Sequence, residues 1–172
     1  MKIRGKIVFV ILPVLIVSIL LVGISSYLLA SSGINRLARD FLGFKVTELQ
    51  KYAISQYQLL VENNLQDSPE YLQATRGSIE VYAASIIRSN SELIIAVDSD
   101  GNLQLATSDT TLKTGEKAAL ARLHESRESV LIEPKIAGIT RVAKGFYFQP
   151  FDWYVIVSEQ RDVFFQDINR IA

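Results

Sequence analysis

Four residues have the types and spacing to hold a small acid: Arg141, Tyr147, Tyr82 and Arg88. In the run ITRVAKGFYF, Ile139–Phe148, strand alternation sets Arg141, Ala143, Gly145 and Tyr147 on one face and Val142, Phe146 and Phe148 on the other. A guanidinium grips a carboxylate through two parallel hydrogen bonds. A phenol fixes orientation, and the small residues between the two leave room for a ligand. Tyr82 and Arg88, near the end of a predicted helix, are expected to close over the same space. The plainer reading makes Arg141 a solvated surface charge and Tyr147 a core aromatic. Trp153 carries the same alternative: it lines the space, or it anchors a strand by packing with its N–H bonded nearby.

Other chemistry is thinly supplied. The chain has no cysteine and one histidine, His124, which excludes disulfides, thiolate metal sites and cysteine nucleophiles. His124 falls near the C-terminal end of a short predicted helix, where a partial positive charge suits the dipole. Phosphate-loop, dinucleotide, zinc-protease and nucleophile-elbow motifs are missing. No Asp/Glu pair is placed by sequence into one pocket, so the segment reads as non-enzymatic, without cofactor or metal. Asp98-Ser99-Asp100-Gly101-Asn102 spells a calcium loop at first sight. An EF-hand needs a bidentate Glu at loop position 12 and a helix on each side. That position is Asp109 here and the flanks read as strands, so the run is a hairpin turn rich in Asp and Gly.

The elements that must position these residues begin with Ile7–Ala30, IVFVILPVLIVSILLVGISSYLLA, which holds no charge. As a helix its 24 residues would measure about 36 Å, against a hydrocarbon core of about 30 Å. The stretch predicts a transmembrane helix, too long for the apolar region of a cleaved signal peptide. Three of the 18 basic residues, Lys2, Arg4 and Lys6, precede it, leaving 15 basic against 18 acidic residues beyond. Basic flanks stay cytoplasmic, which places residues 1–6 inside and residues 31–172 outside the plasma (inner) membrane. A slightly acidic outer domain is unsuited to nucleic acid.

Beyond the span, Leu42, Val46, Leu49, Ala53, Tyr57 and Leu60 recur at helical steps. They predict a stalk helix over 34–65 that continues the membrane helix, bent at Gly33, and that supports a homodimer. Ser68-Pro69-Glu70 starts a second helix reaching Arg88, with Ser68 as its side-chain cap. A hairpin follows, Leu93–Val97 and Leu103–Thr107, then a helix over Glu116–Glu125. Strands are predicted at Ser129–Glu133, Ile139–Phe148 and Trp153–Glu159, with Ala137-Gly138 as a turn. A last helix spans 162–171, capped by Asp162. Grouped strands with helices at the ends indicate an α+β domain, its sheet domain spanning 69–159.

This order resembles the single Cache domain, the extracellular PAS-like sensor of bacterial receptors. IIAVDSDGNLQLATSD, Ile94–Asp109, is similar to that family's first hairpin. GFYFQPFDWYVIVSEQRDVFFQDI, Gly145–Ile168, is similar to its closing strands and exit helix. The resemblance implies a five-stranded antiparallel PAS-like sheet packed on the stalk helix. It implies a receptor input that senses small molecules, often carboxylates, and that continues through a second span into a cytoplasmic kinase, cyclase or chemotaxis module. The chain departs from many relatives in ending its last strand Val157-Ser158-Glu159 rather than in glycines. It also lacks the family's amino-acid-binding arrangement of Arg, Trp and Tyr, so the resemblance implies a ligand class without an identity. The reading from a different class is a membrane-tethered interaction module that dimerises through the stalk and binds no small ligand.

Overall fold

The structure is a computed structural model. It describes the backbone of residues 3–171 and the side chains of residues 14–26 and 40–166.

Helix α1 runs without interruption from Ile3 to Glu62, 60 residues, with no boundary at Gly33. Of the predicted membrane span, residues 7–13 and 27–30 lie outside the described side chains. Among the described residues no helix is long and apolar enough to cross a membrane. The described part, 14–26, exposes a run of Val, Leu and Ile side chains. Farther along α1, Leu42, Val46, Leu49, Ala53 and Leu60 are buried at the spacing of one helix face. The helix stops three residues earlier than the spacing suggests, in a Schellman motif. Asn64 takes φ 57°, the Leu65 N–H donates to the Leu60 carbonyl and the Asn64 N–H to the Val61 carbonyl.

Helix α2, Pro69–Ser85, begins at the expected Ser68–Pro69 signal, although the Ser68 side chain makes no capping hydrogen bond. It ends before Arg88 and lays Thr75, Ile79 and Ala83 into the core. Tyr82 stacks on Tyr52 of α1 with ring centroids 4.0 Å apart.

The remaining elements are β1 Glu92–Val97, β2 Leu103–Ala106, α3 Thr114–Ser126, β3 Leu131–Ile132, β4 Lys135–Ile136, β5 Ile139–Phe148, a 3-10 turn Gln149–Phe151, β6 Trp153–Gln160 and α4 Arg161–Ile171. The strands form one antiparallel sheet in the order β2-β1-β6-β5-β3, with β4 also paired to β5. The strand predicted over Ser129–Glu133 shortens to Leu131–Ile132, and a further two-residue strand, Lys135–Ile136, follows it, giving six strands where five were expected. Pro134 lacks an N–H and separates them. Ala137 and Gly138, at φ 53° and 80°, form the two-residue turn from β4 to β5.

Central β6 shows no alternation because both its faces are covered. Ile94, Ala96, Val142, Phe146, Phe148, Val155 and Val157 pack towards α1, as the alternation of β5 predicts. Leu93, Ile95, Val97, Ala143, Tyr154 and Ile156 face α3 and the β3–β4 segment through Leu120 and Ile136. Trp153 is buried among Phe151 and the first cluster, in the packing role. Helix α4 follows β6 with no residue between them and packs on α1, burying Phe164. The sheet therefore has a turn end, where β5 passes to β6, and an α4 end, where β6 passes into α4.

Candidate functional site

Arg141 lies near the start of β5, opposite Gln160 at the α4 end. It is 4% exposed, far from a solvated charge. Its Nε donates to Ser158 Oγ at 2.9 Å, its Nη2 donates to the Ser91 carbonyl, and Ser158 Oγ donates onward to the Leu93 carbonyl. Burial pushes the guanidinium pKa down, and the nearby Glu159 charge opposes that shift. The fork thus ties β5, β6 and the entry to β1 together.

The room expected around Gly145 is filled. A Cβ there would lie 2.7 Å from the Val155 carbonyl oxygen and 2.8 Å from the Tyr154 ring. Tyr154 is fully buried, its hydroxyl donates to the Glu128 carbonyl, and burial together with the Glu128 charge pushes its pKa up to about 12.

Tyr147 belongs to a different cluster, at the turn end. Its hydroxyl donates to Asp152 Oδ1 at 2.7 Å. Asp152 closes the 3-10 turn in the left-handed region, φ 51°. The same Asp152 carboxylate lies 3.1 Å from His124 Nε2, which also sits 2.9 Å from the Asp152 carbonyl. His124 is buried and stands edge-on to the Tyr147 ring at 5.4 Å. Arg127, at φ 54° just past α3, holds its guanidinium 4.1 Å above the centre of that ring. The Asp152 hydrogen bond, burial and the Asp152 charge raise the Tyr147 pKa, against the Arg127 charge, so the phenol stays a donor. Beside the cluster opens a cleft of about 530 Å³ lined by Ser99, Arg122, His124, Glu125, Arg127 and Asp152. Its lining carries two guanidinium groups, Arg122 and Arg127, beside two carboxylates, Glu125 and Asp152, the latter occupied by Tyr147 and His124.

Tyr82 and Arg88 share a separate groove of about 230 Å³ between α1 and α2, with Phe41, Phe44, Lys45 and Ile86. Lys45 Nζ pairs with Glu92 Oε2 at 2.5 Å and lies 4.9 Å from the Phe41 ring centre. Arg88 covers the same ring at 5.2 Å, while its backbone N–H donates to Glu92 Oε2. Of the four residues singled out by type, Tyr82 and Arg88 are brought together, and neither Arg141 nor Tyr147 lines their groove. Sequence reasoning missed His124, Asp152 and Arg127 as partners of Tyr147. The one available signal was Asp152 ending a Pro-containing turn five residues on.

No protein-family model matches the chain, and comparison with curated proteins finds no match. Two solved structures are similar. One is a methyl-accepting chemotaxis protein from Vibrio parahaemolyticus RIMD 2210633, at 15% identity and TM-score 0.44, covering 77% of this chain and 99% of that one. The other is a Cache chemosensory domain, solved to explain carboxylic acid recognition, at 14% identity and TM-score 0.53, covering 74% of this chain and 97% of that one. The second likeness shows the fold: a Cache-like, PAS-like arrangement of helices and an antiparallel sheet.

Proposed function

We propose that this Cache-fold chain is the extracytoplasmic small-molecule sensing input of a transmembrane signalling receptor. It is anchored in the plasma membrane by residues 7–30, with its N-terminus in the cytoplasm. The observation that carries the reading is the packing of α1 and α4 against each other beside a Cache sheet. A ligand that prefers one arrangement of the sheet shifts the populations of two states, and the helices pass that shift on. The segment acts by binding and not by catalysis. In support, the buried imidazole of His124 is spent on Asp152. The ligand in this reading is a small carboxylate in the turn-end cleft, held by Arg127 and Arg122, with the Tyr147 ring beneath Arg127 fixing that guanidinium. Arg141 acts on it indirectly, by holding the strands. The uncharged apolar run and its basic flank support the anchor and its topology.

The test is a thermal-shift screen of small carboxylates on the full chain in nanodiscs. A ligand bound only by the folded state raises the midpoint. The expected result is a hit whose shift disappears in Arg127→Ala. A panel with no hit, or a hit indifferent to both Arg127→Ala and Arg122→Ala, overturns the site.

The stalk favours a further element of the reading. Ile54, Leu59 and Val61 remain exposed on α1, Leu59 at 50%. We assign this surface to a homodimer of the chain, the same contact that an interaction module without a ligand would use. The chain has no cysteine, so Ile54→Cys gives a single reporter. Disulfide-linked dimer is expected for it in membranes and not for Gln73→Cys on the exposed side of α2; equal cross-linking of both overturns the stalk dimer.

A further inference from the structure

The groove between α1 and α2 has a charge pattern that the turn-end cleft does not explain. Lys45 is neutralised by Glu92. Glu48, also in the groove, pairs with Lys51 at 3.4 Å. Among the described residues Arg88 is the groove cation that meets no carboxylate; its guanidinium rests on the Phe41 ring instead. Arg88 is exposed and on the rim, so it can turn from that ring towards a ligand without disturbing the core. Apart from Ser85, the other walls are apolar or aromatic: Phe44, Tyr82 and Ile86.

We propose that this groove binds a small aromatic monocarboxylate, its carboxylate on the Arg88 guanidinium and its ring against Phe44, Tyr82 and Ile86. One unmatched positive charge calls for one negative charge. Among the described residues the groove offers no second unmatched cation, so the second carboxylate of a dicarboxylate would find no partner there. A volume of about 230 Å³ falls below the roughly 300–1,000 Å³ of drug-sized sites, a scale suited to a single ring. The aromatic walls supply face and edge contacts that an aliphatic acid would not use as well. Because the occupant touches both helices beside the Lys45–Glu92 pair, it braces α2 on the stalk at the α4 end. The site shares no lining residue with the turn-end cleft, so a failure there leaves this proposal standing.

The test uses phenylacetate as probe, with the full chain in nanodiscs and empty nanodiscs as blank, read by saturation-transfer NMR and by thermal shift. Saturable binding is expected. Neutral benzyl alcohol, which loses the charged hydrogen-bonded contact, should bind at least about tenfold more weakly, and succinate, which keeps a carboxylate but lacks the ring, should also bind more weakly. Arg88→Gln should weaken phenylacetate by about tenfold or more. Phe44→Ala should weaken it as well, whereas Lys135→Gln, on a remote strand, should leave it unchanged. Absence of saturation, equal binding of benzyl alcohol, or full affinity in Arg88→Gln overturns the proposal.

Discussion

Gly145 shows how a residue read as empty space becomes filled. Small residues along one face of β5 suggest room, but a single strand says nothing of the ring that crosses to it from the next strand. Tyr154 does so diagonally from β6, past the directly paired Ile156. Gly145→Ala is expected to lower stability by about 1–3 kcal/mol, the usual cost of forcing a core to move. Urea denaturation measures it, and an unchanged midpoint would mean that the ring gives way freely. Arg141 teaches a similar lesson. Its type and face were legible, but the sequence does not say whether a ligand or Ser158 and the Ser91 carbonyl fill its fork. Glu116 supplies the pH-dependent term at this scale. Burial alone would raise its pKa, but the backbone N–H groups of Lys113 and Gly138 and the Lys113 charge outweigh it and hold the group below its ordinary 4.5. The folded pKa is thus below the unfolded one. Its contribution is fully present above the unfolded value and is lost as pH falls through the folded value. Glu116→Gln should flatten the loss of stability in that acid window, measured as denaturation midpoint against pH; an unaltered pH profile would remove Glu116 from the account.

At the scale of elements, legibility followed pattern length. The ten residues of β5 and the start of β6 at Trp153 coincide with what alternation and the Pro-containing turn predict. The β3–β4 segment did not, because two-residue strands on either side of Pro134 carry no periodicity to read. The ends of α2 and α4 moved by one to three residues, within the usual fraying of helix termini. What no local pattern shows is the joint between elements. Lys45 sits among apolar stalk residues, and its partner is 47 residues away, at the start of β1. With side chains 6% and 11% exposed, this pair is costly to break singly. Lys45→Met should destabilise by roughly 3–5 kcal/mol because it leaves Glu92 buried and unpaired. The double change Lys45→Met with Glu92→Gln should recover much of that loss. Chemical denaturation of the four variants forms the cycle, and simple additivity of the two changes would show that the pair is not coupled.

For the whole molecule, the layered arrangement was legible from the order of elements, and the position of the clefts was not. The turn-end cleft depends on α3, the β1–β2 turn and the β5–β6 turn meeting, and these contacts span 28 residues between His124 and Asp152. The contact of α3 with the hairpin turn is equally demanding. Gly101 has φ 74°, and a Cβ there would fall 2.1 Å from the Lys117 carbonyl oxygen. Gly101→Ala should therefore loosen the cleft as well as the turn, seen as faster amide exchange in both α3 and β2. Normal protection in both would show that the turn and helix move apart without cost. The junction of β6 with α4 has a different consequence. Gln160 is the last strand residue and Arg161 the first helical one, so no loop lies between sheet and helix to take up slack. A junction without slack of this kind would carry a twist of the central strand directly into α4, and so as torque onto a helix packed against the stalk.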